Sequence, residues 1–262
     1  MPKADSRPPR RRDWRRARQA LNNLIADPQR TDQVFELIRA LSGSAFERAW
    51  QRFRVQPDGL RLLAERPALL DRLSDRAALR ALPEGSFGRA YAAFMDSAQL
   101  DAAGRVAADL EAARNYDSGD EGPLDAQREF FGQRLRDMHD LWHVLTGYGR
   151  DEAGEAANLA FTYAQVPNFG IGVIVLAAAA LGPRDLSLAW PRYLWRAYRR
   201  GRRAALLSAV PYETLLPLPL AAVRRRLAIE PPEVAHPRGV VVASRDDLVA
   251  AGGGPAPGAH AA

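Results

Sequence analysis

Two histidines four residues apart lie in the segment RDMHDLWHVLTGYGRDEAGE, residues 136–155. Each residue of an α-helix advances about 100°, so His143 falls about 40° around the helix from His139, and Asp140 falls about 100° around it. The three side chains can therefore converge on one point, and Glu155 follows in the next segment. Imidazole nitrogens and carboxylate oxygens together bind divalent zinc, iron, manganese or cobalt. The segment predicts a metal site with these four side chains as ligands.

The same residues allow other interpretations. A histidine pair at this spacing also occurs on the solvated face of an ordinary helix. The chain has only four histidines, however, and the other two, His236 and His260, lie near the C-terminus. A zinc peptidase would need glutamate where Asp140 stands. A histidine–aspartate phosphohydrolase would need a further upstream histidine, and residues 1–138 contain none. A metal site of another class is favoured.

The elements around the motif are expected to form a helical hairpin. Apolar periodicity after an acidic first turn predicts one long helix over about residues 124–145, and this helix carries both histidines. Gly147 and Gly149 permit the chain to reverse. Asp151 is a suitable N-cap for the following helix, whose second turn contains Glu155. A tight hairpin of these two helices would return Glu155 to the histidines.

Helical periodicity extends along most of the remaining chain. The first helix is expected to bury one apolar face, made of Trp14, Ala17, Leu21 and Leu24. Two short helices are expected on either side of Pro67. No hairpin-turn signal between alternating strands appears. The chain is therefore predicted to be all-α, a single-domain helical bundle with a metal-bearing helical hairpin.

Composition divides the chain into a body and two tails. Residues 1–12 are basic and contain three prolines, so they are expected to form a disordered basic tail. Residues 13–245 show no repeat and no linker, and they are expected to form one all-helical domain. Residues 246–262 are rich in glycine, alanine and proline, which predicts a flexible tail.

The bulk composition limits the chemistry and the partners. The chain has 262 residues and a formal charge of +6, and 47% of its residues are hydrophobic, as in a soluble globular protein. It contains no cysteine, which excludes disulfides, thiolate metal sites and a cysteine nucleophile. Nearly all basic residues are arginine, which pairs well with phosphate. Because no nucleic-acid-binding motif is present, an anionic membrane surface is the expected partner, and nucleic acid is not.

Four blocks occur in a fixed order along the chain. They are ALPEGSFGRAYAAFMD at residues 81–96, the metal motif at residues 139–155, GRRAALLSAVPYE at residues 201–213, and PLAAVRRRLAI at residues 219–229. In type, order and spacing they resemble the ubiquinone (coenzyme Q) biosynthesis protein 4 family, and the resemblance covers roughly residues 20–232. The segment QVPNFGIGVIVLAAAALGP, residues 165–183, departs from the eukaryotic members of that family.

The resemblance implies an all-helical fold and a divalent ion held by His139, Asp140, His143 and Glu155, which would act in catalysis through the metal. Zinc is favoured, with iron, manganese and cobalt as alternatives. It implies a metal-dependent enzyme of ubiquinone biosynthesis, an oxidative decarboxylase that removes the C1 carboxylate of the prenylated 4-hydroxybenzoate-derived ring and hydroxylates that carbon. It leaves open a non-catalytic scaffold that binds prenylated intermediates and organises the pathway's enzymes at a membrane.

Two further segments suit a lipid substrate or a membrane. The run IGVIVLAAAAL, residues 171–181, is too short to span a bilayer, which needs about 20 residues. It is interpreted as either a buried core helix or one wall of a lipid pocket. The segment WPRYLWRAYRRGRR, residues 190–203, contains four aromatic residues and six arginines. It predicts an amphipathic helix that either docks on the core or lies at a membrane interface.

These features together give the expected partners and location. The partners are prenylated aromatic quinone precursors, a membrane surface and other ubiquinone biosynthesis enzymes, and a homodimer is left open. The first twelve residues lack the apolar region of a secretory signal. In a bacterium the chain is expected in the cytoplasm, peripheral to the inner face of the plasma membrane. In a eukaryote it is expected on the matrix side of the mitochondrial inner membrane.

Overall fold

The structure, a computed structural model, describes residues 11–27, 30–101, 125–181 and 188–236. Within these ranges the chain forms helices and no β-strand, and one isolated bridge joins Ser86 to Pro219. The all-α prediction is therefore confirmed for the described part of the chain. The helices are α1 (Trp14–Ala26), α2 (Thr31–Leu41), α3 (Ala45–Arg54), α4 (Pro57–Glu65), α5 (Leu69–Ser74), α6 (Arg76–Ala81), α7 (Phe87–Asp101), α8 (Ala126–Asp137), α9 (His139–Thr146), α10 (Glu152–Gln165), α11 (Phe169–Leu181), α12 (Ala189–Arg203), α13 (Tyr212–Leu215), α14 (Leu220–Arg226) and α15 (Pro232–Ala235), with a 3-10 turn at Leu207–Ala209.

The predicted limits of the domain stay predictions. Of the expected N-terminal tail, only residues 11 and 12 belong to the described ranges, and they precede α1 without helical structure. The expected flexible tail at residues 246–262 lies outside the described residues, as does the last part of the predicted 13–245 domain, from residue 237 onward.

The long helix predicted over residues 124–145 is divided in two. Helix α8 ends at Asp137 and α9 begins at His139. The N–H of Met138 is shared between the carbonyls of Arg134 and Arg136, which tightens the helix locally. The backbone N–H of Trp142 still donates to the Met138 carbonyl at 3.0 Å, so α9 follows α8 closely. The break falls directly before the first predicted ligand.

Helices α7, α9, α10 and α12 build the main core around the predicted hairpin. Trp142 of α9 is buried, and its Nε1 donates to the Tyr212 hydroxyl at 3.0 Å. Helices α10 and α12 pack closely because small residues face each other. A Cβ added at Gly201 would lie 2.5 Å from the carbonyl oxygen of Phe161. Helix α12 therefore fixes the helix that carries Glu155.

The predicted face of α1 is only partly correct. Ala17 is buried and Leu24 is half-buried, but Trp14 is 59% exposed and Leu21 is 38% exposed. Ala20, which was not assigned to that face, is buried instead. Small alanine side chains allow α2 to approach closely, so α1 turns its alanines inward and its tryptophan outward.

The apolar segment of α11 and the basic segment of α12 both lie partly at the surface. In α11, Ile171 is buried, but Leu176 is 71% exposed, so the helix is not fully enclosed by the core. In α12, one face docks on the core with Trp190 and Leu194 buried, while Trp195 on the other face is 58% exposed. Among the described residues, no helix is long and apolar enough to cross a membrane.

Two arginines from the C-terminal third of the chain bind the end of α9. Arg224 donates to the carbonyls of Val144 and Leu145 at 3.1 and 2.8 Å. Arg200, which is buried, donates to the carbonyl of Thr146 at 3.0 Å. The last carbonyls of a helix lack intrahelical donors and carry partial negative charge, so cations stabilise this end. Helices α12 and α14 thus fix the end of the histidine helix.

His236 is part of the folded body, although its sequence position suggested a place near a loose terminus. It is buried, and its Nε2 lies 3.0 Å from the hydroxyl of Tyr148. Its ring also packs against Tyr193, with 4.7 Å between centroids. Burial, with the charges of Arg200 and Arg196, lowers the pKa of His236 to about 4. A neutral imidazole therefore joins the C-terminal segment to the turn after α9.

The buried position of His236 predicts a pH-dependent loss of stability. Between the unfolded pKa of about 6.5 and the folded value of about 4, the unfolded chain binds a proton that the folded chain does not. The stabilising contribution is therefore complete above pH 6.5 and lost as the pH falls toward 4. We expect wild type to lose about 2 kcal/mol more than His236→Gln between pH 7 and pH 4.5 in urea unfolding, after allowance for solvent screening.

A matched control is His260→Gln, in the predicted C-terminal tail, which is expected to keep the wild-type pH profile. Parallel unfolding profiles for wild type and His236→Gln would contradict the prediction.

Candidate metal centre

Three of the four predicted side chains come together in the structure. Ligand atoms of His139, His143 and Glu155 all lie within 4.8 Å of one another. His143 Nε2 is 3.3 Å from His139 Nε2 and 3.5 Å from Glu155 Oε1. The histidines come from α9 and the glutamate from α10, as a returning hairpin requires.

These spacings fit the size of a divalent ion. In a tetrahedral site with metal–nitrogen bonds of about 2.0–2.1 Å, neighbouring ligand atoms are ~3.4 Å apart. Both distances from His143 Nε2 are close to that value. Two imidazoles and one carboxylate leave a coordination position for water or substrate, as in catalytic sites with three protein ligands. The two separations from His143 Nε2 therefore suit a bound ion, and the ligand atoms of His139 and Glu155 lie within 4.8 Å of each other.

The turn between α9 and α10 sets this geometry. Gly147 ends α9 in the left-handed conformation, with φ of 74°, which favours glycine. Asp151 caps α10 by accepting a hydrogen bond from the Gly154 N–H at 2.9 Å. A Cβ added at Gly154 would lie 2.2 Å from the Gly149 carbonyl oxygen. Glycines at these positions therefore allow α10 to start directly beside the end of α9.

Backbone and aromatic contacts fix the orientation of His143. Its Nδ1 lies 3.1 Å from the carbonyl oxygen of Tyr148, which can only accept, so Nδ1 carries the proton. Nε2 then faces Glu155 and is the nitrogen left for a metal, which binds there when it displaces the proton shared with the carboxylate. The Phe94 ring stacks on the imidazole, with 5.5 Å between centroids and 22° between planes. With the ring 1% exposed, His143 forms the inner wall of the site.

Burial and neighbouring charge act together on the ionisable groups. Burial mainly lowers the pKa of His139, and the charge of His143 lowers it further. Burial alone would raise the pKa of Glu155 and lower that of His143. Their mutual charge and hydrogen bond reverse both effects, so the pKa of Glu155 is lowered and that of His143 is raised. A divalent cation can take the place of the proton in this pair, since ligands bind deprotonated.

Asp140, the fourth predicted ligand, lies outside this group. Its Oδ1 is 3.3 Å from Nη2 of Arg150, which comes from the turn before α10. The guanidinium carbon of Arg150 lies 4.4 Å from the centroid of the Phe94 ring. In this arrangement Asp140 is the counter-charge of an arginine, and its place among the metal ligands stays a prediction.

Sequence reasoning did not identify Phe94, Tyr148 or Arg150 as parts of the site. Tyr148 and Arg150 lie within the motif segment, but no ligand-spacing rule assigns a role to a turn carbonyl or to a turn arginine. Phe94 lies in the block at residues 81–96, whose family resemblance was the available signal.

The sequence is similar to that of known proteins over most of its length. The family model for "Coenzyme Q (ubiquinone) biosynthesis protein Coq4" matches residues 16–233. A ubiquinone biosynthesis protein COQ4 homolog, named mitochondrial, from Bos taurus is 32% identical over 213 residues, which are 79% of this chain and 75% of the relative. The homolog of the same name from Danio rerio is 31% identical over 216 residues, or 80% and 74% of the two chains.

A solved structure supports the fold. The crystal structure of a Nostoc punctiforme PCC 73102 protein, described as a candidate ubiquinone biosynthesis protein, superposes with a TM-score of 0.59 at 22% identity. It covers 84% of this chain and 100% of that one. With the family match over nearly the whole described body, these similarities establish that the chain belongs to the coenzyme Q (ubiquinone) biosynthesis protein Coq4 family.

Proposed function

We propose that this protein is a metal-dependent enzyme of ubiquinone biosynthesis that oxidatively decarboxylates the prenylated 4-hydroxybenzoate-derived ring at C1. The observation that carries the proposal is the spacing of three ligand atoms, which His139, His143 and Glu155 already hold near ion-binding distances. Membership of the Coq4 family supplies the pathway. These three side chains would act in catalysis through the metal.

The exposure of the ligands gives the direction from which a substrate would approach. His143 is buried, whereas the Glu155 side chain is 42% exposed and His139 is partly exposed. A substrate would therefore approach an ion held by these residues from the side of Glu155 and His139. When bound there, a divalent ion would act as a Lewis acid that polarises an oxygen of the ring. The chain's own contribution is to orient the two imidazoles and to hold the carboxylate anionic, and the ion would displace the proton that His143 shares with Glu155.

Replacement of a ring carboxylate by a hydroxyl is a two-electron oxidation with loss of carbon dioxide, so it needs an electron acceptor. We assign dioxygen as that acceptor: it takes two electrons to become hydrogen peroxide, and water supplies the oxygen of the new hydroxyl. Zinc suits the donor set and cannot change oxidation state, which would leave the electron-rich ring to react with dioxygen directly. Two histidines and one carboxylate are also the ligands of non-haem iron oxygenases, and iron would take part in the oxidation itself. Manganese and cobalt accept the same donors.

Metal content is the first test of the proposal. Glu155→Gln and His143→Ala are each expected to lower bound metal at least about tenfold, because a three-ligand site cannot spare a ligand. Asp140→Asn is expected to keep its metal, since Asp140 lies outside the group of three. Elemental analysis of protein purified without added metal measures this and identifies the ion. Full metal content in both ligand variants would contradict the assignment, and metal loss in Asp140→Asn would restore Asp140 as a ligand.

Turnover is the second test. Purified wild-type protein, given a short-chain prenylated 4-hydroxybenzoate in air, is expected to form the decarboxylated and hydroxylated ring. His143→Ala and chelated wild type should lose roughly 100-fold or more of this activity, and added metal should restore only the chelated protein. The surface variant Arg61→Gln serves as the control. Product from His143→Ala would overturn the mechanism, and no wild-type product with metal-dependent assembly of partner enzymes would establish the scaffold alternative.

We also propose that the outer face of α12 lies on a membrane surface. Trp195 is 58% exposed and stacks on Tyr198 with 5.3 Å between centroids. Five arginines of the same helix are exposed, namely Arg192, Arg196, Arg199, Arg202 and Arg203. An exposed aromatic residue among cations is typical of a helix at an anionic lipid interface. This arrangement supports peripheral attachment, and relatives named mitochondrial are consistent with a membrane-bearing organelle.

Vesicle binding tests the membrane face. Replacing one arginine is expected to weaken binding to anionic vesicles about fivefold, which corresponds to ~1 kcal/mol per arginine. The single variants to compare are Arg192→Gln, Arg196→Gln and Arg199→Gln. Trp195→Ser should weaken binding to neutral and anionic vesicles alike, because its contribution is burial of a ring. Leu60→Ser removes another exposed apolar side chain, 58% exposed, on α4, and is expected to bind as wild type. If Leu60→Ser and Trp195→Ser lose vesicle binding equally, binding is not specific to the outer face of α12 and the proposal is contradicted.

A further inference from the structure

Arg150 occupies a position that the metal ligands alone do not explain. It leaves the turn between α9 and α10, and its guanidinium carbon lies 4.4 Å from the Phe94 ring centroid. The same ring stacks on His143 at 5.5 Å. A single phenyl ring therefore links the guanidinium to a proposed metal ligand. The charge of Arg150 also acts on both His139 and Glu155.

The hydrogen-bonding capacity of Arg150 is poorly used. A guanidinium has five N–H donors. Its contact with Asp140 Oδ1 is a single one at 3.3 Å, and the same Nη2 faces the sulfur of Met95 at 2.8 Å. Its Nε is buried and has no hydrogen-bond partner among the described residues. Arg134 also has a buried Nε with no partner among the described residues, but it binds Glu213 with its two other nitrogens at 2.6 and 3.0 Å.

An under-used arginine beside a metal centre is suited to bind an anion. The side chain remains 29% exposed, so a ligand can reach it. Both hydrogen bonds of Arg150 to described residues come from Nη2, so its Nη1 has no acceptor among them and can donate to an incoming oxyanion. The planar fork of a guanidinium matches the two oxygens of a carboxylate. Asp140 partners the guanidinium through one long contact, which a better acceptor can displace.

We propose that Arg150 recognises the carboxylate of the aromatic substrate beside the metal centre and thereby selects carboxylated rings over decarboxylated ones. The inference rests on the proposed function and names the group that gives its site substrate specificity. Because Arg150 binds the carboxylate before carbon dioxide has left, it stabilises the bound substrate and the transition state alike, so it contributes to binding and not to acceleration of the chemical step. Loss of Arg150 therefore raises KM and leaves kcat nearly unchanged.

The test compares binding of two ligands to the full-length, metal-loaded protein. One ligand is a short-chain prenylated 4-hydroxybenzoate, and the other is the corresponding prenylated phenol, which lacks only the carboxylate. Wild type is expected to prefer the acid. Arg150→Gln is expected to bind the acid between about tenfold and hundredfold more weakly and the phenol as well as wild type does, because one set of charge-assisted hydrogen bonds is lost. Arg150→Lys keeps the charge but lacks the planar pair of donors. Its affinity for the acid should therefore lie between those of wild type and Arg150→Gln.

The controls separate this inference from the metal centre. Arg61→Gln, at an exposed ion pair with Asp58, should leave both affinities unchanged. Metal content is measured on every variant. Equal weakening of acid and phenol in Arg150→Gln, no weakening of either, or loss of metal would each overturn the role of Arg150. Wild type that purifies without metal and binds none when metal is added, but still prefers the acid through Arg150, would overturn the metal centre and leave the role of Arg150 standing.

Discussion

The return of α10 onto α9 is the constraint on which the site depends. The hairpin brings Glu155 to 3.5 Å from His143, although twelve positions separate them in the chain. Its turn has little freedom, because a side chain at Gly154 would collide with the Gly149 carbonyl. The Tyr148 carbonyl in the same turn orients His143. One short turn thus sets both the distance between ligands and the tautomer of the inner one.

The C-terminal third of the chain holds that turn in place. Arg200 and Arg224 bind the last carbonyls of α9, and His236 lies at the Tyr148 hydroxyl. A Cβ added at Gly147 would lie 2.6 Å from a ring atom of Pro232 in α15. Buried polar contacts of this kind are costly unless all partners are present, so they specify one arrangement. Family similarity that extends to residue 233 agrees with a site whose support is built from distant sequence.

The sequence predicts the features of the site that depend on neighbouring residues, namely helical phase and helix capping. Helical phase placed His139 and His143 on one side of a helix, and cap chemistry at Asp151 placed Glu155 in the returning helix. The break at Met138 was missed because an N–H shared between two carbonyls leaves no periodic signal. The contact between Tyr148 and His236 spans 88 positions, and such tertiary contacts have no local pattern. Trp14 lies at the surface because the small alanines of α1 let α2 approach closely, and that approach is a tertiary contact which the local sequence does not predict.

Helices α11 and α12 leave apolar side chains exposed to water beside α10. Apolar chains are costly to expose to water, at about 25 cal/mol per Å². Helix α11 leaves Leu176 exposed, and the buried Trp190 of α12 joins the two helices through a hydrogen bond from Nε1 to the Ala178 carbonyl at 2.7 Å. The exposed apolar and aromatic–basic side chains of α11 and α12 therefore belong to helices that pack against α10, the helix that carries Glu155. The packing of α10 against α12 thus supports both this surface and the candidate metal centre.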